Sequence, residues 1–174
     1  MKKMIVATIL LSLTVLSQSI YAQDYMTAES VESVKSKLKD NNRTLRHMKG
    51  TVIEEKKEAL DTYYNHELER IHGSERNLEK LCASLVHELD DLKIKKIMKG
   101  KHKQPFFDKK IRRFTNIKLE METELTSIAR YEGASDVISS EMSEYKSTLK
   151  SSLSYIATII NFLEQKKREK KFHK

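Results

Sequence analysis

Tryptophan is absent from this sequence, cysteine and proline occur once each, and glycine occurs only four times. Each scarcity excludes something. The one cysteine, Cys82, cannot form an intramolecular bridge, so the disulfide-stapled scaffolds common among small exported domains are ruled out. Pro105 and the glycines at 50, 73, 100 and 133 supply too little turn chemistry for a protein of many short strands. No glycine-rich phosphate loop and no nucleophile elbow is present. The apolar run at 4–16 and the uncharged run at 151–163 are thirteen residues each. Both fall short of the roughly 20 residues that span a bilayer.

What is present is charge. A third of the 174 residues are Asp, Glu, Lys or Arg, and the formal net charge is +8. The core must be a thin one, built from Leu, Ile, Val, Met and a few Phe and Tyr, as a long narrow bundle requires. Lys2 and Lys3, the apolar run and the Gln18-Ser19-Ile20-Tyr21-Ala22 segment have the form of a cleavable export signal. Cleavage after Ala22 would make Gln23 the first residue and leave one domain-sized chain with a charge of +6. The expected location is therefore secreted: extracellular, or periplasmic in a bacterium.

The stretches between glycines read with helical period. Val31, Val34, Leu38, Leu45 and Met48 keep a three-four spacing in which Asn41 fills one gap. Asp40-Asn41-Asn42 is poor helix material. Thr51-x-x-Glu54 has the form of a capping box, yet the apolar stripe crosses Gly50 into Val52, so a break and a tolerated mid-helix glycine both remain open. The next stripe runs through Leu60, Tyr64, Leu68 and Ile71 to a stop at Gly73-Ser74. Leu78, Leu81, Cys82, Leu85, Leu89 and Leu92 follow, with Ile71, Leu78, Leu85 and Leu92 at heptad spacing. Gly100 to Pro105 predicts a turn. A third helix begins near Phe106, with Phe107, Ile111, Phe114, Met121, Leu125 and Ile128 as its seam. Glu132-Gly133-Ala134-Ser135 predicts a short link capped by Ser135. The last helix carries Ile138, Met142, Tyr145, Leu149, Leu153, Ile156, Ile160 and Leu163, and its many serines line a polar face.

Short links imply antiparallel neighbours. The expectation is an all-α protein: an elongated antiparallel bundle, or coiled-coil hairpin, of three to four long helices. Its parts are a signal peptide at 1–22, an N-terminal helical extension at 23–50, the bundle at 51–168 and a basic tail at 169–174. An unbroken first helix would overhang the bundle.

Residues 93–118 hold eleven Lys and Arg and one acid, Asp108, whereas residues 54–92 carry a net charge of −6. Phe106, Phe107 and Phe114 lie among the basic residues. Such a run is ordinarily a solvated end. Basic and aromatic residues interleaved can also hold a polyanion. Export disfavours nucleic acid and leaves an anionic membrane surface, a polysaccharide or an acidic protein. If the helices run up, down and up, the tail returns to the same pole. The expected polyanion-binding residues are Lys95, Lys96, Lys99, Lys101, Lys103, Lys109, Lys110, Arg112, Arg113, Lys166, Lys167 and Arg168.

Other patterns carry less. Glu69-x-x-His72 has the spacing of di-iron bundles, but these need a second such motif and two more carboxylates. His66, His72 and His87 show no zinc-ligand spacing with Cys82. No catalytic residue, metal or cofactor is expected, and the chain reads as a non-enzyme. Cys82 reads as a small buried hydrophobe or, alternatively, as an intermolecular disulfide that would make a homo-oligomer. Asn42-Arg43-Thr44 matches the N-glycosylation pattern.

In physical character an exported, basic helical hairpin resembles the Skp-type holdase chaperones of the periplasm. Those proteins begin with a β-strand assembly core, and no such strand follows Gln23. The resemblance implies a second function, gripping of unfolded clients between amphipathic helices. Secreted helical proteins of conjugation machines and of animal secretory fluids share the same character.

Overall fold

The computed structural model describes residues 26–61, 68–132 and 139–172, with side chains described at 26–59, 76–131 and 139–170. These residues are all-α and contain no strand. Helix α1 is Ala28–Asp61, α2 is Leu68–Asp91, α3 is the short Ile94–Met98, α4 is Gln104–Glu132 and α5 is Ser140–Phe172. At about 1.5 Å per residue the 34 residues of α1 span about 50 Å.

Outside the described residues lie the signal segment with Gln23, Tyr64, His66, the link at Gly133 to Ser135, Asp136, Ile138 and Lys174. The side chains of Leu60, Leu68, Glu69, Ile71, His72 and Lys171 also lie outside them.

Helix α1 packs along α5 and α2, α4 packs along α5 and α2, and α3 folds back onto α1, giving a bundle-like arrangement. The shared core takes Val31, Leu38, Leu45 and Val52 from α1 at heptad spacing. Leu78, Leu85 and Leu92 from the α2 segment, and Phe107, Phe114, Met121 and Ile128 from α4, face them.

The backbone decides the open question at Gly50 and overturns the expected stop at Gly73. Gly50 sits inside continuous α1, where a Cβ would meet nothing within 4 Å, so Thr51-x-x-Glu54 caps no helix. Residues 28–50 thus share one helix with residues 51–61, and Val31 and Leu38 within it are fully buried. The N-cap of α1 is Thr27, whose Oγ1 accepts from the Ser30 amide at 3.1 Å. Likewise α2 passes through Gly73 without stopping. A glycine inside a helix costs only about 1 kcal/mol against Ala, which tertiary packing overrides.

The real break comes where periodicity shows none, at Leu92-Lys93. Asp90 and Asp91 close α2, and acids at a helix C-terminus oppose its dipole. Three lysines compensate. Lys39 pairs with Asp90, Lys110 with Asp91, and Lys35 Nζ donates to the freed Leu92 carbonyl at 2.7 Å. Finally, α5 is capped by Ser139, whose Oγ accepts from the Met142 amide at 3.0 Å; the expected cap, Ser135, lies outside the described residues.

The weak Asp40-Asn41-Asn42 segment stays helical because its amides bond to neighbouring helices. Asn41 Nδ2 donates to Ser151 Oγ (2.7 Å) and Ser152 Oγ (3.1 Å), and Asn42 Nδ2 donates to the Cys82 carbonyl (3.3 Å). Ser152 is therefore buried, not on a polar face. On α5, Ile159 and Phe162 join the core, while Leu153 and Ile160 are only partly buried. A helix flanked by both α1 and α4 must cover a broader face than a single seam.

Candidate functional site

The tip of the molecule is built by α3, the turn after it and the start of α4. The turn is a Schellman motif: Gly100 N–H reaches Ile97 O at 2.9 Å and Lys101 N–H reaches Lys96 O at 3.4 Å. Gly100 adopts φ +66°, the left-handed conformation that favours glycine there. Pro105 stands in the first turn of α4, where its missing N–H leaves no helical bond unmade. Phe107 anchors the start of α4 in the core, and Phe106 packs edge-on against it while stacking on His102 at 3.9 Å. Burial pushes the His102 pKa down, and the nearby Lys170 and Lys96 ammonium groups push it further in the same direction.

The end of α5 meets this tip. Gln104 Nε2 donates to the Lys167 carbonyl at 3.0 Å, and the Lys167 ammonium pairs with Asp108. The tail and the basic turn therefore share one end of the molecule. Of the predicted binding residues, Lys95, Lys96, Lys99, Lys101, Lys103, Lys109, Arg112 and Arg168 are exposed. None of these eight has an ion-pair partner among the described residues.

The other four are engaged elsewhere. Lys110 is only 3% exposed and bridges Glu88 (2.7 Å) and Asp91 (3.0 Å), while Arg113 pairs with the other Glu88 oxygen. These two join α4 to α2, Lys110 sealed within the contact and Arg113 at its partly exposed edge. For Lys110 the signal was its spacing, three residues after Phe107 and four before Phe114, which puts it on the buried face of α4. Lys167 is held by Asp108 and Lys166 by Glu169. Burial pushes the Glu88 carboxyl up, but the hydrogen bonds from Lys110 and Arg113 outweigh it and hold the group below its ordinary value.

A second buried ionic site was not anticipated. Lys56 Nζ meets Glu124 Oε1 at 2.7 Å and lies 5.3 Å from the centre of the Tyr131 ring. Burial, then the Glu124 carboxylate, push the neighbouring Tyr145 hydroxyl well above its ordinary range. The signal was Lys56 four residues beyond Val52, on the same face of α1. Glu124, at 7% exposure, thus belongs to the core.

Cys82 is 3% exposed, and burial pushes its thiol up to about 11. This position is that of a small buried hydrophobe. Asn42 is 1% exposed with its Nδ2 engaged, so the folded chain cannot present it for glycosylation.

Between α2 and α4, beyond the Glu88 clamp, opens a groove of about 940 Å³ whose lining includes Leu78, Leu81, Leu119, Glu120 and Arg130. Leu119 is 62% exposed. Among the described residues no group of three or more His, Cys, Asp or Glu side chains is placed to hold a metal, and no helix is long and apolar enough to cross a membrane. No protein-family model matches the chain, and no curated protein or solved structure matches it.

Proposed function

We propose that this is an exported, non-enzymatic, elongated antiparallel helical bundle that binds an acidic or polyanionic partner through its basic pole. The antiparallel reading is supported by the pairing of Lys35 with Leu92 and of Asn42 with Cys82, whose numbers run in opposite directions along α1 and α2. The observation that carries the binding reading is the meeting of tip and tail at Gln104 and Lys167, which gathers eight unpaired cations at one end. Like charges held together in this way repel one another, and a polyanion relieves that repulsion.

Heparin chromatography tests the reading. Wild type should elute at a salt concentration that falls sharply once Lys95, Lys96, Lys99 and Lys101 are changed to Gln, since exposed charges are screened over about 8 Å at physiological ionic strength. Helicity should not change. Unaltered elution of that variant would refute the binding surface. Lys110 and Arg113 are left intact because their loss would unclamp α4 from α2.

One observation favours a second reading, that of a holdase: the open groove with Leu119 exposed beside it. Suppression of client aggregation at stoichiometric ratio, lost on Leu119→Glu and kept in the four-lysine variant, would support it over the first.

A further inference from the structure

We propose that the partner of the basic pole is an anionic bilayer surface, with Met98 as the side chain that enters it; this rests on the polyanion-binding reading above. Two large hydrophobic side chains are exposed among the described residues, Met98 at 41% and Leu119. Leu119 lies on the shaft of α4, beside the groove. Met98 ends α3, immediately before the Schellman turn at the tip. Ile94 and Ile97 of that short helix are buried, whereas Met98 at its last position stays exposed. Lys95, three residues earlier, shares its face, and exposed Lys99 follows it.

Charge complementarity points to a bilayer. From residue 93 to residue 107 there is no acid at all. Asp108, Asp90 and Asp91 are already engaged, by Lys167, Lys39 and Lys110, which leaves Glu164, beside Arg112 and Arg168, as an exposed acid at this end against eight exposed cations. A soluble polyanion would use the ammonium groups and leave Met98 wet. An interface of anionic headgroups over acyl chains uses both, because lysine stems can lie along apolar surface with their ammonium groups among phosphates. Each lysine brought to such a surface strengthens binding about fivefold. Exposed Pro105, across the turn, adds a second small apolar contact. The association would be peripheral, since no described helix can span a membrane.

The protein contains no tryptophan, so Met98→Trp creates a single reporter at the proposed depth. Its emission should shift to the blue with vesicles of equal parts phosphatidylserine and phosphatidylcholine, and stay unshifted with heparin. Met98→Ser should weaken sedimentation with those vesicles about tenfold, by losing the apolar contact, and leave heparin elution unchanged. Met98→Leu should bind like wild type. Unshifted emission from the Met98→Trp variant, or equal vesicle binding by Met98→Ser, overturns insertion of this side chain. Retention on heparin without binding to the anionic vesicles overturns the bilayer partner and leaves the polyanion reading standing. Failure to bind either overturns both.

Discussion

Lys56 Nζ lies 2.7 Å from Glu124 Oε1, with the lysine wholly shielded from solvent and the glutamate nearly so. The pair joins the far half of α1 to α4. A buried ion pair contributes little net stability against an apolar replacement, because desolvating two charges offsets most of their attraction. Breaking it is another matter.

Lys56→Met should therefore lower stability by about 3–5 kcal/mol, since it leaves Glu124 charged and buried without its partner. Adding Glu124→Leu should restore most of the loss. Urea unfolding of the single and double variants checks this. Equal midpoints for the two would show that the pair is uncoupled.

Glu88 predicts an acid limit. Its folded pKa lies below the ordinary 4.5, so the stability it contributes is fully present above about pH 4.5 and is lost as pH falls through the folded value. Asp90 and Asp91 are lowered in the same direction, by Lys39 and Lys110. Urea midpoints should hold steady from neutral pH down to about pH 5 and then fall. Glu88→Gln should be less stable at neutral pH and show a shallower fall.

Cys82 should resist a thiol reagent. Burial both blocks access and, by raising the pKa to about 11, leaves almost no thiolate at neutral pH. Labelling should become fast and complete only in denaturant. Rapid reaction of the native chain would place the thiol outside the core.

Gly50 and Gly100 should respond oppositely to alanine. Gly50 is helical and has open space around it, so Gly50→Ala should stabilise by about 0.5–1 kcal/mol. Gly100 also has open space, but its φ of +66° strains any other residue, so Gly100→Ala should cost about 1 kcal/mol. Thermal melts of the two variants would separate them by sign.

Much of the α-helical character was legible from local pattern. The seams through Leu78, Leu85 and Leu92, and through Phe107, Phe114 and Met121, lie buried at the spacings read from the chain. Glycine left position 50 open and misled at 73, because a cost of about 1 kcal/mol in a helix is small beside the packing of a long buried face. The break at Leu92-Lys93 was invisible because Lys35, 57 residues away, stabilises the freed carbonyl.

The sequence by itself determined the class of structure and where positive charge is dense, because helical periodicity and composition are properties of neighbouring residues. Only the tertiary structure decided which charges are available. Lys110 and Lys109 are adjacent and chemically identical, yet one is sealed against Glu88 and the other faces water. A turn of about 100° along the helix separates them, and the partner that claims Lys110 is supplied by a different helix.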